Sequence, residues 1–323
     1  MPANAPDFGL TARAVRPILK WAGGKRQLLP ALRPFYPVSF DRFVEPFLGS
    51  GAVFLDCYNS GRLEGREVRL SDNNADIIGC YRMVRDDVEG TIAALRELEA
   101  GHTEGGTAHF YAVRDQRFNR DRLAIRDDHD PSSRYTPALA AMLIYLNQTG
   151  YNGLFRLNSR GAFNVPAGRY ASPRICDPDN LRALSRALGQ PGVSLNRADF
   201  AEALRDLRPG DFVYLDPPYA PVSATASFTA YTASGFDSAA QAALQRLVVG
   251  LARAGVFVLL SNSYVPEVQA LYAQSGEARA AGLEAHTVQA RRAINSRAAA
   301  RGTVPEYVIT NVPRSASAQP GFV

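Results

Sequence analysis

The sequence predicts an α/β fold in which a mostly parallel sheet carries helices on both faces and a mostly helical segment is inserted. Short apolar runs typical of strands alternate with stretches of helical periodicity along most of the 323 residues. The run 212–215 is apolar throughout, as expected for a strand buried on both faces. The stretch 100–136 is polar and has no strand signal, so it interrupts this alternation.

The first elements surround a turn that contains glycine. Residues 42–44 are predicted to form a short strand that leads into the segment 45–51, and residues 52–58 to form the helix that follows. A second strand is predicted at 67–70, and it ends close to Asp72. This order of strand, turn, helix and strand is typical of one half of a parallel sheet.

The middle of the chain is predicted to be helical. One face of a helix carries Val88, Ile92 and Leu95. Residues 136–146 are apolar and are expected to form a buried helix, followed at 147–170 by a loop rich in glycine, asparagine, arginine and aromatic residues. These features indicate an insertion that is mostly helical.

The α/β pattern resumes after the insertion. Ser238 is predicted to cap a helix that stops at Gly255. The apolar stripe of this helix consists of Leu244, Leu247, Val248 and Leu251. Further strands are predicted at 256–260 and 307–312.

These elements divide the chain into domains. The main domain is expected at 17–77 and 175–313, the inserted domain at 78–174, and flexible tails at 1–16 and 314–323. In a parallel sheet, ligands bind beyond the carboxyl ends of the strands. The side chains expected at this edge are Glu45, Asp72, Asp216 and Ser261.

Charge and composition narrow the class of protein. The chain has 36 basic and 31 acidic residues and an isoelectric point near 9.2, which weakly favours a polyanionic partner such as nucleic acid. Three scattered cysteines are too few for a disulfide framework, and four isolated histidines do not indicate a metal site. No apolar run reaches eighteen residues and no signal peptide is recognisable, so we expect a cytoplasmic protein without a membrane span.

The segment 45–51 has the features of a nucleotide-binding turn. Gly49 and Gly51 would let the backbone approach a ligand closely, and Asp72 could accept hydrogen bonds from ribose hydroxyls. A dinucleotide fingerprint needs a small residue where this chain has Phe54. The pattern therefore favours an adenosine ligand without a pyrophosphate, and S-adenosylmethionine fits. The alternative is an ordinary turn in which the glycines serve only the backbone.

The most specific motif is Asp216-Pro217-Pro218-Tyr219, which follows an apolar strand. Two prolines fix the backbone and remove two donors, so the Asp216 carboxylate and the Pro217 carbonyl are presented together as acceptors. Two acceptors on the N–H bonds of an aromatic amine would free its lone pair for attack on a sulfonium methyl. A flipped base could stack on Tyr219. The alternative is a proline-rich turn with a capping aspartate.

Taken together, these residues resemble the DNA adenine methylase family of N6-adenine methyltransferases, over about residues 17–312. The matching segments are Lys20 to Lys25 (KWAGGK), Val44 to Gly51, Asp72, Leu146 to Arg156, and Asp216 to Tyr219. The resemblance implies a Rossmann-like S-adenosylmethionine-dependent methyltransferase fold with alpha-type motif order. It also implies that the inserted domain recognises the target.

The resemblance assigns roles to individual residues. The catalytic motif would be Asp216, Pro217, Pro218 and Tyr219. S-adenosylmethionine would be bound by Trp21, Lys25, Asp72 and Asp216, with Glu45, Phe47, Gly49 and Gly51 close by. Lys20 would contact a base of the site. A hairpin would read a short palindrome, with GATC expected, through Tyr151, Asn152, Leu154 and Arg156.

The chain departs from the family's pattern at Gln148, where many relatives carry a basic residue, so a phosphate contact is expected to be lost there. Residues 121–136 look like an insertion. Residues 291–297 resemble a basic C-terminal loop of the family, expected near DNA or the cofactor; a solvated basic surface is the alternative.

The function implied is methyl transfer from S-adenosylmethionine to adenine N6 in double-stranded DNA, with S-adenosylhomocysteine as product and no metal. We expect a monomer that is associated with the nucleoid. It either has a restriction endonuclease as counterpart or acts alone, and the sequence leaves both alternatives open. The alternatives are N4-cytosine methylation, glutamine methylation of proteins, and a DNA-binding relative without activity. Asp216 argues against glutamine methylation, which favours asparagine at this position.

Overall fold

The computed structural model describes residues 14–21, 25–219, 236–291 and 303–314. Its strands are Arg42–Glu45 (β1), Glu67–Asp72 (β2), Val193–Arg197 (β3), Phe212–Leu215 (β4), Phe257–Ser263 (β5), Glu284–Arg291 (β6) and Thr303–Thr310 (β7). Within the described residues they form one seven-stranded sheet in the order β3-β2-β1-β4-β5-β7-β6. Strands β1 to β5 are parallel, and β7 runs antiparallel between β5 and β6.

Helices connect these strands. They are Leu29–Leu32 (α1), Ala52–Asn59 (α2), Ala75–Asp86 (α3), Val88–Ala112 (α4), Asn119–Ile125 (α5), Pro137–Thr149 (α6), Pro178–Leu188 (α7), Phe200–Ala203 (α8), Ser238–Arg253 (α9), Pro266–Val268 (α10) and Gly276–Ala280 (α11). Helix α4 contains a break at Gly106, whose φ of 49° is not helical.

Helices cover both faces of the sheet, as the alternation along β4 shows. Phe212 and Tyr214 belong to one buried apolar cluster, whereas Val213 and Leu215 belong to another that includes Leu244 of α9. Successive side chains of a strand point to opposite faces, so each cluster lies between the sheet and a different helical layer. The predicted α/β fold with a mostly parallel sheet is confirmed.

The long segment between β2 and β3 contains helices α3 to α7, as expected for a helical insertion. The predicted boundary at residue 78 falls inside α3, and the division into domains stays a prediction. Helix α6 is buried from Leu139 to Asn147, which confirms the apolar helix. It extends to Thr149, so Asn147 and Gln148 are helical, and the prediction that the loop begins at Asn147 is wrong.

Two strands and one cap differ from the expectations. Strands β3 and β6 were not predicted, because each lies at an edge of the sheet and lacks a continuous apolar run. The N-cap of α9 is Asp237, whose carboxylate accepts a hydrogen bond from Ala240 N at 2.9 Å, and not Ser238. A carboxylate at this position also interacts favourably with the helix dipole.

The predicted N-terminal tail is shorter than expected. Val15 is only 8% exposed, and its N–H donates to the side chain of Asn59 at 2.9 Å. The N–H of Arg16 donates to Asn180 Oδ1, also at 2.9 Å. The expectation of a flexible tail is therefore wrong for these two residues, whereas residues 1–13 and 315–323 lie outside the described residues.

Candidate active site

The three carboxylates predicted at the ligand-binding edge lie there together. Glu45 is the last residue of β1, Asp72 is the last residue of β2, and Asp216 directly follows β4. Strand β1 lies between β2 and β4, and all three are parallel, so their carboxyl ends share one edge. Burial raises the pKa of Glu45, and the charges of Asp216 and Asp72 add to this shift.

Asp72 is held by backbone donors. Gly49 N–H donates to its Oδ2 at 3.0 Å, and Asn74 N–H donates to its Oδ1 at 2.9 Å. Burial raises the pKa of Asp72 to about 6, although both backbone hydrogen bonds oppose the shift. The carboxylate is thus fixed against the turn that follows β1.

The turn after β1 packs tightly against Trp21. Gly49 and Gly51 have φ values of 46° and 64°, a conformation that glycine adopts without steric cost. A Cβ on Gly49 would lie 2.9 Å from Trp21 Cδ1, so only glycine lets the indole ring approach. The ring of Trp21 also lies 5.6 Å from that of Phe155. The predicted cofactor residues Trp21, Gly49 and Asp72 are therefore neighbours.

Glu45 has a structural partner within this edge. Its Oε2 accepts a hydrogen bond from Phe54 N at 2.9 Å, in the first turn of α2. Its side chain is buried, and burial raises the pKa of Glu45 well above the ordinary value. Sequence reasoning assigned Glu45 only to the cofactor; the structure shows that it also satisfies a donor at the helix start.

Asp216 forms an ion pair with Lys25. Lys25 Nζ lies 2.7 Å from Asp216 Oδ1, and Ser261 Oγ donates to the same oxygen at 3.2 Å. The side chain of Lys25 is 4% exposed and that of Asp216 is 21% exposed. Burial raises the pKa of Asp216, and the ammonium of Lys25 opposes this shift. The structure therefore joins two predicted site residues that lie far apart in sequence.

Tyr219 is oriented by two neighbours. Its hydroxyl donates to Glu306 Oε2 at 2.6 Å, and Lys25 Nζ lies 4.4 Å from the centre of its ring. An ammonium over an aromatic face is attracted by the ring quadrupole. Burial, reinforced by Asp216 and Glu306, raises the pKa of Tyr219 well above the ordinary value, so the phenol stays protonated as the donor.

A second layer of polar side chains was not identified from the sequence. Gln241 Nε2 donates to the carbonyl of Pro218 at 3.1 Å, and Asn262 Nδ2 donates to Gln241 Oε1 at 3.1 Å. Tyr214 and Ser261 share a hydrogen bond of 3.0 Å, and Ser261 also donates to Asp216. Gln241 is a buried amide on helix α9. Since a buried amide needs hydrogen-bond partners, its place beside the apolar stripe of this helix could have indicated a polar contact.

The predicted DNA-reading segment is a hairpin rooted on the N-terminal segment. Isolated antiparallel bridges pair Gly150 with Ala167 and Leu157 with Phe163. Asn147 Oδ1 accepts from Lys20 N at 2.6 Å, and its amide nitrogen donates to the carbonyls of Lys20 and Gly153 at 2.8 and 3.0 Å.

The residues predicted to read DNA differ in exposure. Tyr151 is 44% exposed, Arg156 is exposed, and Leu154 is half-buried. Asn152 has a φ of 55°. Arg156 Nε donates to Asn164 Oδ1 at 2.7 Å across the hairpin, which orients the guanidinium.

Lys20 lies at the root of the hairpin. Its Nζ donates to the carbonyl of Gln148 at 2.9 Å and lies 4.4 Å from the centre of the Tyr170 ring. Burial lowers the pKa of Lys20. Gln148 itself donates to the carbonyl of Ile18 at 2.7 Å, so this position serves packing between the N-terminal segment and α6.

Phe47 belongs to an aromatic cluster beside the site. Its ring stacks on Phe200 with centres 5.7 Å apart, and the edge of Phe236 completes the cluster at 5.9 Å. Neither partner was identified from the sequence. The basic segment 291–297 lies outside the described residues, except for the backbone of Arg291.

No group of three or more His, Cys, Asp or Glu side chains among the residues that the structure describes could hold a metal ion. No helix described by the structure combines the length and apolar character needed to cross a bilayer.

Comparison with known proteins gives the class of protein to which this chain belongs. The family model of the D12 class N6 adenine-specific DNA methyltransferases matches residues 21–294. The chain belongs to this family, and it is an enzyme that methylates adenine at N6 in DNA. This confirms the resemblance noted in the sequence.

Individual relatives match most of the chain. The type II methyltransferase M1.LlaDCHI of Lactococcus lactis subsp. cremoris is 35% identical over 92% of this chain and 95% of its own length. The DNA adenine methylase of Escherichia coli strain K12 is 34% identical over 92% of this chain and 96% of its own. The type II methyltransferase M.MjaIII of Methanocaldococcus jannaschii is 38% identical over 77% of this chain and 85% of its own length.

Proposed function

We propose that the chain transfers the methyl group of S-adenosylmethionine to adenine N6 within the palindrome GATC, at a site built around Asp216. The observation that carries the proposal is the Lys25–Asp216 ion pair at 2.7 Å, located at the strand edge that also holds Asp72 and the Gly49 turn. One edge thus combines a carboxylate for an adenosine ribose with a carboxylate for an amine.

The residues present fit S-adenosylmethionine. Asp72 would accept hydrogen bonds from the ribose hydroxyls, since its oxygens already lie beside the turn. The absence of a Cβ at Gly49 keeps the backbone of this turn close to Trp21, and a flat indole ring suits an adenine. When bound, the cofactor would supply a methyl group on a positively charged sulfur and leave as S-adenosylhomocysteine.

Asp216 and its motif would activate the adenine amine. Lys25 and Ser261 both contact Oδ1, so the proposal assigns Oδ2 and the carbonyl of Pro217 to the two N–H bonds of N6. These acceptors would localise the nitrogen lone pair, which forms the new N–C bond as the S–C bond breaks. The released proton would pass to Asp216 or to water, and the raised pKa of Asp216 makes it a better base.

Tyr219 would receive the flipped base. Lys25 covers one face of its ring, and the proposal assigns the other face to adenine. The hydrogen bond to Glu306 keeps the ring from turning, which reduces the entropy lost on stacking. Unstacking the base costs a few kcal/mol, of which stacking on tyrosine returns about 1–3 kcal/mol.

The hairpin would read the DNA sequence. Arg156 is held by Asn164 with its guanidinium exposed, as a bidentate contact to guanine requires. Leu154 would pack on a thymine methyl, and Tyr151, Asn152 and Lys20 would contact neighbouring bases or the space left by the flipped one. A monomeric state, nucleoid association and an endonuclease counterpart remain predictions.

The test combines a product assay with one variant. The protein and S-adenosylmethionine are incubated with duplex DNA, the nucleosides are analysed by mass spectrometry, and the DNA is challenged with a nuclease blocked by methylated GATC. We expect N6-methyladenine and full protection, and we expect Asp216→Ala to abolish both. Asp199→Ala, which removes an exposed helix cap, is the control.

The outcomes separate the alternatives. N6-methyladenine with unprotected GATC would keep the chemistry and reject the palindrome. N4-methylcytosine would contradict the substrate, and methyl transfer at the wild-type rate by Asp216→Ala would contradict the assigned mechanism. Absence of any methylated nucleoside despite DNA binding would favour a relative that has lost its activity.

A further inference from the structure

A cavity of about 140 Å³ lies at the root of the hairpin, apart from the methyl-transfer site. Its charged lining consists of Arg16, Arg26, Arg174 and Asp177, which leaves a surplus of two positive charges. We propose that this cavity binds a phosphate group of the DNA backbone. The proposal rests on the hairpin facing DNA, as argued above.

The cavity is built by long-range contacts. The side-chain amide of Asn180 holds the backbone of Arg16 through two hydrogen bonds of 2.9 Å. Its Oδ1 accepts from the N–H of Arg16, and its Nδ2 donates to the carbonyl of Arg16. Arg16 Nη2 lies 2.5 Å from Asp177 Oδ2, and Arg174 Nη2 lies 3.3 Å from the same oxygen. One carboxylate thus positions two guanidinium groups that lie far apart in sequence.

This arrangement suits a phosphate in charge and shape. Guanidinium groups are planar forks that match phosphate oxygens, and three of them exceed the single negative charge available inside the cavity. A water molecule takes up about 30 Å³ of liquid, so the volume accommodates a phosphate group together with solvent. Because Asp177 holds Arg16 and Arg174 before binding, these two side chains lose little conformational entropy when the phosphate enters.

The position of the cavity points to DNA rather than to a free anion. Gln148 lines it, and the carbonyl of the same residue accepts the hydrogen bond from Lys20 Nζ at 2.9 Å. Ile18 also lines the cavity, two residues from Lys20. A backbone phosphate bound here would therefore lie next to the residue that we assign to a base contact, as the two groups are neighbours on DNA. Gln148 and Asn180 are the neutral polar residues of this lining.

The experiment measures the salt dependence of DNA affinity for the full chain. Each phosphate contact contributes about −0.9 to the slope of log affinity against log salt. We expect Arg174→Gln to weaken duplex binding at low salt and to make the slope shallower by up to about 0.9. Duplexes with and without the methylated site should lose affinity by the same factor, because phosphate contacts carry no sequence information.

Arg253→Gln is the matched control. Arg253 lies on α9, its side chain is 52% exposed against 57% for Arg174, and its partner Glu277 lies at 3.4 Å. This variant has the same change in net charge, and we expect it to leave the slope unchanged. In a second arm, Gln148→Arg is combined with Arg174→Gln, and the added charge should restore the lost slope.

The proposal is overturned if the slope of Arg174→Gln equals that of the control, or if only discrimination between duplexes changes. A third arm tests inorganic phosphate against chloride at equal ionic strength. Suppose that phosphate protects Arg174 from an arginine-modifying reagent, while Arg174→Gln leaves the salt slope of DNA affinity unchanged. The cavity would then be a pocket for free anions, and DNA would be rejected as its ligand. Because the slope is measured on any duplex, the result is independent of whether GATC is the methylated sequence.

Discussion

Gly49 and Asp72 are joined by one hydrogen bond, and each places a separate constraint on the cofactor edge of the sheet. Gly49 supplies a backbone conformation and an approach to Trp21 that a side chain would block. Asp72 supplies a carboxylate, and burial raises its pKa because a buried negative charge loses its hydration. Substitutions at these two positions should therefore have effects of different physical origin.

Replacing Gly49 by alanine should weaken cofactor binding through Trp21. The φ of 46° would cost about 1–2 kcal/mol, and the new Cβ would press on the indole ring at 2.9 Å. Gly65→Ala is the control, because Gly65 also has a positive φ but a Cβ there meets nothing within 4 Å. Calorimetry should show lower S-adenosylmethionine affinity only for Gly49→Ala. Equal affinity in the two variants would contradict the role of Trp21.

Asp72 should make cofactor binding depend on pH. Its pKa of about 6 lies above the ordinary value of about 3.9, so the folded protein without cofactor loses stability as pH rises from about 4 through 6. Ribose hydroxyls need the ionised acceptor, so affinity should fall up to tenfold per pH unit below about 6. Stability and affinity thus change in opposite directions with pH. Both trends should disappear in Asp72→Asn; their persistence would assign them to another group.

Helices α3 and α5 are joined by a buried ion pair. Arg122 Nε lies 2.8 and 2.9 Å from the two oxygens of Asp76, and the hydroxyl of Tyr135 donates to Asp76 Oδ1 at 2.5 Å. Arg122 also donates to the carbonyl of Gly161 in the hairpin, and its guanidinium lies 6.0 Å from the centre of the Phe155 ring. One side chain therefore links the helix after Asp72, α5 and the hairpin.

Removing this arginine should destabilise the protein strongly. Arg122→Met leaves the carboxylate of Asp76 buried without its cation, and breaking such pairs costs about 3–5 kcal/mol. Arg120→Met, in the same helix, removes a side chain that is 71% exposed and should leave stability unchanged. Denaturant unfolding of both variants measures the difference. A cost for Arg122→Met as small as that for Arg120→Met would show that the pair contributes little.

Across the whole molecule, the sheet and the inserted helices place the two halves of the site. The sheet order puts β1 between β2 and β4, which assembles the carboxylates on one edge. Asn147, at the end of α6, ties the hairpin to Lys20, 127 residues away in sequence. The buried side-chain amide of Asn147 thus connects the proposed DNA-reading hairpin with the N-terminal segment that contains Lys20 and Trp21.

Cutting this connection should reduce discrimination between DNA sequences more than folding. Asn147→Ala removes hydrogen bonds to the backbone of Lys20 and Gly153. Asn311→Ala is the control, since it removes two hydrogen bonds to backbone, with Val256 and Val258, against three for Asn147→Ala. Methylation rates on the target site and on sites with one altered base should converge only for Asn147→Ala. Convergence in both variants would indicate a general loss of order.

The sequence by itself determined the features that depend on neighbouring residues. The buried strand β4 and the rigid turn formed by the two prolines after Asp216 were predictable, because the run of apolar residues and the fixed φ of proline act locally. The tight turn before α2 was likewise predictable, since such turns favour the glycines found there. The expectation of adenine specificity followed from the resemblance of the motifs to those of the DNA adenine methylase family.

Only the tertiary structure decided which distant side chains meet. Three such contacts depend on the order of the strands and on how the helices between β2 and β3 pack against the sheet. They join Lys25 to Asp216, Tyr219 to Glu306, and Asn147 to Lys20. Strands β3 and β6 also escaped prediction. At the edges of the sheet they bury little apolar surface, so pairing with β2 and β7 selects their conformation where local hydrophobicity does not.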